Sequence, residues 1–250
     1  PQIPIERHAL DNGLRIILSR DPRAPMVAVN LWYDVGSKHE KPGKTGFAHL
    51  FEHMMFQGSA NVEKGQHFGL VQAAGGTLNA TTWLDRTNYF ETLPGHELEL
   101  ALWLEADRMG SLLPAMTQEK LDNQRDVVKN ERRYSVDNQP YGDWDERMQE
   151  LVYPETHPYH HPTIGSMEDL SDASLDDVRE FFATHYAPNN AVLTIAGDFE
   201  PDAALAMVEK HFGPITPNPS LPPPPVVDIA ERIGDAIRVT VPDKVPLPRI

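Results

Sequence analysis

Along most of the chain, apolar residues recur either at every second position or at the three-to-four spacing of a helix. "RHALDNGLRIILSRD" alternates on both sides of Asn12 and Gly13, and Asn-Gly between alternating apolar runs signals a β-hairpin. "MVAVNLWYDVGS" continues as a third strand that ends at Gly36. From residue 46 to 57 the period lengthens, and Phe47, Leu50, Phe51 and Met54 fall on one helical stripe. A second helix, "GQHFGLVQAAG", stops at Gly75 and Gly76, and "TLNATTW" and "TNYFETL" then read as a pair of strands. Helical patterns fill residues 95 to 153, clearest in "GHELELALWLEADRMGSLL" and "TQEKLDNQRDVVKNERRYSV" and broken near Pro114 and Pro140. "SLDDVREFFATHY" is a further helix, ended by Pro188. "AVLTIAGDF" is a buried strand and "PDAALAMVEKHF" a last helix.

Strands and helices mixed in this way predict an α+β domain over residues 1 to 214, a mostly antiparallel sheet packed against helices. Residues 215 to 229, from the "GPITPNPSLPPPPVV" stretch, read as a proline-rich, semi-rigid linker. Residues 230 to 250 have strand character but are too few for a core of their own. They are expected to be the first strand of a second domain that is truncated here.

The 250 residues include no cysteine. That excludes a disulfide framework, a thiolate metal site and a cysteine nucleophile. The net charge of −15 argues against a nucleic-acid or anionic-membrane partner. No apolar run approaches the roughly 18 residues that a membrane span needs. The start, "PQIPIERHAL", has neither the charged nor the apolar region of a signal peptide, so none was made or it has been removed.

The chemistry concentrates in "GFAHLFEHMMFQGS". Successive helical residues turn by about 100°. With His49 at zero, Glu52 falls near ~300° and His53 near ~40°, so all three share one face. Imidazoles one turn apart can both reach one tetrahedral zinc ion, leaving the carboxylate beside its open position. A lone histidine on such a helix is usually a hydrogen-bonded core residue, but two at i and i+4 with an acid between them point to a metal. A catalytic zinc needs a third protein ligand, and spacing alone does not choose it. His157, His160 and His161 cluster in "THPYHHPT", although histidines in so proline-rich a loop more often pack and hydrogen-bond than ligate.

"HLFEH" is the inverzincin signature, and with its surroundings it resembles the pitrilysin-type zinc metallopeptidases, the superfamily of insulin-degrading enzyme and the mitochondrial processing peptidases. "GGTLNATTWLDRTNYFETLP", "QRDVVKNERR", "HPYHHPTIGSMEDL" and "YAPNNAVLTIAGDF" match family blocks in family order, over nearly the whole domain. The compact bacterial, processing-peptidase-like members are the most similar. The resemblance implies one half of a two-domain fold, with Zn2+ bound by His49, His53 and Glu131 and with Glu52 as general base. Glu131 lies in "QRDVVKNERR", 78 residues beyond His53. Many relatives carry an acid seven residues before that ligand. Here the place is held by Gln124, which can hydrogen-bond but supplies no charge.

The resemblance further implies that "TLNATTW" is an edge strand to which an extended substrate adds, with Asn79 and Ala80 facing it. The expected activity is zinc-dependent endoproteolysis of peptides or unstructured protein segments. The expected partner is a second homologous domain or subunit that closes the chamber, in a homo- or heterodimer. A periplasmic location is expected, with the cytoplasm as the alternative. Two rivals differ in class. S-ribosylhomocysteine lyase also carries an HxxEH element, but it uses a cysteine, is much shorter and lacks the "GGTLNATTW" block. A non-catalytic structural or regulatory subunit would typically have lost part of the motif, which is complete here.

Overall fold

The Asn-Gly turn joins β1 (Glu6–Ala9) to β2 (Arg15–Arg20), which pair antiparallel. The loop holds three residues, not two. The Leu10 amide donates to the Leu14 carbonyl, and Gly13 adopts the left-handed φ of +87° that such loops require at their last position. Asn12 also ties this end of the sheet to distant chain. Its buried amide donates to the carbonyls of Phe212 and Ile215 at 2.8 and 3.0 Å.

The computed structural model describes residues 3–225 and 238–241. Four further strands are β3 (Met26–Tyr33), β4 (Thr77–Thr82), β5 (Thr87–Pro94) and β6 (Ala191–Gly197). They complete a six-stranded sheet in the order β1-β2-β6-β3-β5-β4. Every pair is antiparallel except β2 and β6, where Ile16 stands opposite Leu193. Strand parity separates the two faces. Val27, Val29, Leu31 and Tyr33 of β3 are buried, while Trp32 between them is 42% exposed.

Eight α-helices lie among the described residues: α1 (Phe47–Met54), α2 (Gln66–Ala73), α3 (Leu98–Ser111), α4 (Gln118–Arg132), α5 (Trp144–Val152), α6 (Met167–Asp172), α7 (Leu175–His185) and α8 (Pro201–Phe212). α3 packs on β3 and β5 and supports α8, while α1 packs against α4, α7 and β4. The short helix α6 has no prior signal in the apolar spacing; Ser166 caps it by accepting the Asp169 amide. α4 does not stop at its last α-helical residue but continues into a π-helical turn over Arg133–Asp137, which starts two residues beyond Glu131.

The fold is therefore α+β with a mixed, mostly antiparallel sheet. Residues 226–229 of the expected linker, and residues 230–250 apart from 238–241, lie outside the described residues.

Candidate metal centre

α1 is apolar on the faces that meet the core, with Phe47, Leu50, Phe51 and Met54 buried. The polar stripe of His49, Glu52 and His53 emerges between them and turns toward α4. His49 Nε2 lies 3.7 Å from Glu131 Oε1, and His53 Nε2 lies 3.3 Å from Glu131 Oε2. The imidazole rings stand nearly perpendicular, at 86°, with centroids 4.8 Å apart. One donor atom from each residue falls within 4.8 Å of the other two. Two neighbouring turns of one helix and a single carboxylate from another thus converge on one point.

The protonation states suit a divalent cation. Burial, reinforced by His53 alongside, pulls the His49 imidazole down to about 4 and keeps it neutral. The hydrogen bond with His53 holds the Glu131 carboxyl below its usual range against the effect of burial, and the electrostatic influence of the neighbouring histidines acts in the same direction. Neutral imidazole and ionised carboxylate are the forms that bind metal, and two imidazoles with one carboxylate form a zinc donor set. The residues present fit zinc.

Glu52 is buried beside this point, and the Thr82 hydroxyl donates to its Oε2. Burial raises its proton affinity above that of an ordinary glutamate; the Thr82 hydrogen bond and the nearby His53 only partly oppose this. Thr82 ends β4, the outermost strand, whose one neighbour is β5. The Trp83 amide bonds the Arg86 carbonyl, which sets the phase of the hairpin. Paired residues alternate from there, so the amides and carbonyls of Leu78, Ala80 and Thr82 point away from β5 toward the free edge. The Ala80 amide is met there by the Oδ1 of Asn79, at 2.9 Å. Asn79 is exposed and Ala80 is buried.

The other candidates do not join the centre. His157 Nδ1 accepts the Tyr159 amide at 3.0 Å, and His160 Nδ1 lies 2.9 Å from the Tyr153 carbonyl. His161 Nε2 lies 3.0 Å from both the Ser37 carbonyl and Glu40 Oε2. Gln124 is buried on α4, and its amide donates to Asn123 Oδ1. Thr82 carries no motif of its own in the sequence; parity is its one signal, since it falls two residues beyond Ala80, on the same face of the strand. A cavity of about 330 Å³ opens elsewhere, between Lys38, Phe47, Phe181, His185 and Pro223. His49, His53 and Glu131 lie outside it, partly exposed, next to the edge strand.

Comparison with known proteins identifies the family and the fold. A family model described as Insulinase (Peptidase family M16) matches residues 15–157, and one described as the Peptidase M16 inactive domain matches residues 172–250. The zinc protease PqqE of Helicobacter pylori is 34% identical over 208 residues, covering 83% of this chain and 46% of the relative. Among solved structures, a protease from Helicobacter pylori superposes with a TM-score of 0.85 at 32% identity, covering 90% of this chain and 54% of that one. The first half of the periplasmic protease PqqL from Escherichia coli gives 0.79 at 23% identity, over 89% of this chain and 49% of that one. Pitrilysin gives 0.79 at 24%, over 91% and 24%. The last two show the fold alone, and the match covers about a quarter of the pitrilysin chain. The chain spans about half the length of the curated relatives it matches.

Proposed function

This chain belongs to the insulinase family of M16 peptidases, and from that premise we propose that it is the zinc-carrying half of a metalloendopeptidase acting on extended peptides or unstructured segments. The observation that carries the proposal is the convergence of His49, His53 and Glu131 next to a buried acid, Glu52, at the end of an open edge strand.

His49, His53 and Glu131 would hold the metal. Zinc, when bound, supplies a Lewis acid that makes water more acidic and polarises a peptide carbonyl. Glu52 is the general base: it takes a proton from the attacking water and returns it to the departing amine. Its raised proton affinity suits both halves of that task, and the Thr82 hydroxyl fixes which way the carboxylate faces. The outward amides and carbonyls of Leu78, Ala80 and Thr82 would pair with the substrate backbone and bring it along the strand toward Glu52. For that, a substrate carbonyl replaces Asn79 Oδ1 on the Ala80 amide. Backbone pairing explains a preference for extended chain with little demand on side chains.

The centre lies open along this edge, so a second homologous domain or a partner subunit is needed to enclose substrate. Residues 1–214 would form the catalytic domain, with the proline-rich segment leading to the next one. Among the described residues no helix is long and apolar enough to cross a membrane. A periplasmic setting is the one we favour, since PqqL from Escherichia coli, which shares this fold, is a periplasmic protease.

The test is metal content together with cleavage of a quenched fluorescent peptide, measured with the complementary half present. Glu52→Gln should keep zinc and lose at least about 1000-fold in kcat, while Glu131→Ala should lose zinc. Full activity in the first variant, or undiminished zinc in the second, refutes the assignment. A zinc-loaded parent that cleaves nothing would instead be a non-catalytic subunit.

A further inference from the structure

The loop that carries the unassigned histidines touches both helices of the metal centre. α1 begins at Gly46, in the left-handed conformation with φ of +86° and no side chain to cap the first turn. The opening amides of a helix need acceptors. Here Glu40 supplies them from outside the helix: Oε2 accepts the Gly46 amide at 2.9 Å and Oε1 the Ala48 amide at 2.8 Å. The Glu40 side chain is fully enclosed. A negative charge at this end also suits the helix dipole.

An enclosed carboxylate with two amide donors still needs a further partner. His161 provides it, since Nε2 faces two acceptors, Glu40 Oε2 and the Ser37 carbonyl, and therefore carries a hydrogen that it donates to them. Four residues on, Gly165 packs directly on Gly46. A Cβ added at Gly165 would lie 2.4 Å from Gly46 Cα. Thr45, just before α1, donates through its amide and hydroxyl to Asp169, and its hydroxyl accepts the Ser166 amide. The same loop reaches the other helix: the Gly165 carbonyl accepts from Arg132 Nη1 at 2.8 Å, and Arg132 is the neighbour of Glu131. Glu146 holds that guanidinium through both oxygens.

We propose that Glu40 and His161 are positioning residues for the metal centre, bracing the start of α1 on the 161–166 loop so that His49 and His53 stay in reach of Glu131. Neither touches the reacting atoms. The brace acts through the rotation and depth of α1, and Arg132 ties the same loop to α4. It rests on the zinc-peptidase reading for its consequence in catalysis, but not for its consequence in metal retention.

The experiment compares Glu40→Ala, Glu40→Gln, His161→Ala and His161→Gln with the parent, each zinc-loaded and assembled with the complementary half. The readouts are the rate of zinc release to a chelator, kcat and KM on a peptide, and circular dichroism to confirm folding. Glu40→Ala and His161→Ala should release zinc at least ten-fold faster and lose ten-fold or more in kcat, with KM within two-fold of the parent. His161→Gln retains an N–H donor of similar reach and should recover to within three-fold of the parent on both counts. If Glu40→Ala does not fold, Glu40→Gln takes its place, with a smaller acceleration of zinc release in the same direction. Folded alanine variants that release zinc within two-fold of the parent overturn the proposal, as does a His161→Gln no better than His161→Ala. A parent that binds zinc but cleaves no peptide removes the peptidase reading and leaves zinc release to decide this one.

Discussion

Glu91 offers a test in which removing a charged-type residue should stabilise the protein. It lies on β5 and is 1% exposed, among Glu105 and Arg108 of α3 and His67 of α2, which are also buried. The Arg108 Nε donates to Glu105 Oε2 at 3.0 Å and Nη2 donates to Oε1, while the guanidinium lies 4.2 Å from the centre of the Tyr89 ring. One cation therefore already has its anion. Burial, then the charge of Glu105, pushes the Glu91 carboxyl up to about 9, with Arg108 opposing. Burial, then Arg108, pulls His67 down to about 2, so it stays neutral. Glu91 must then hold its proton at neutral pH.

An acid raised in the folded state binds protons that the unfolded chain has already lost, so stability falls as pH rises from 4.5 toward 9. By pH 7 the loss is about 3 kcal/mol, at about 1.4 kcal/mol per pH unit. Glu91→Gln keeps the shape of the neutral acid and removes the ionisation. It should match the parent near pH 4, exceed its stability by up to about 3 kcal/mol at pH 7, and flatten the slope between. Urea unfolding at intervals from pH 4 to 9 measures this, taken as the difference between the two proteins. A variant less stable at pH 7, or a difference that does not change with pH, refutes the buried-acid argument. Loss of a second bound metal ion would show instead that Glu91 is ionised and shares a cation with His67 and Glu105, whose donor atoms also lie within 4.8 Å of one another.

Two further substitutions probe other links. Thr82→Val removes the hydroxyl on Glu52 and should leave zinc content unchanged while kcat falls about ten-fold, for the loss of one charge-assisted hydrogen bond. Because that bond lowers the Glu52 pKa, the acid limb of the pH–rate profile should move to higher pH; a profile that stays in place or moves down refutes the role of Thr82. Asn12→Ala leaves one buried and one partly buried carbonyl short of a donor and should cost about 1 to 3 kcal/mol in chemical unfolding; a loss under about 0.5 kcal/mol would show that the turn does not depend on that tie.

Much of the fold was legible because each side-chain period reports one environment. β3 alternates buried and exposed as its apolar spacing demands, and α1 buries the stripe that Phe47, Leu50, Phe51 and Met54 define. What was not legible depends on partners far along the chain. The parallel pairing of β2 with β6 brings together residues about 177 positions apart, such as Ile16 and Leu193, and no local pattern encodes it. α6 has only six residues, too few for a periodicity, and its signal lies in its cap.

The site divides in the same way. His49, Glu52 and His53 were legible because one helix turn brings them together, and that geometry holds in any context where the helix forms. Glu131 was not, because its place depends on how α4 crosses α1. Only the likeness of "QRDVVKNERR" to a known block singled it out among the helical acids. The "THPYHHPT" histidines show the opposite limit. As residue types they suggested a ligand; as placed, each turns to a carbonyl, an amide or a carboxylate. A histidine donates, accepts or ligates according to what faces its two nitrogens, and for His161 that is set by a carboxylate 121 residues away. Composition could raise the question of a metal there, but only tertiary geometry could turn the answer toward the helix that carries the motif.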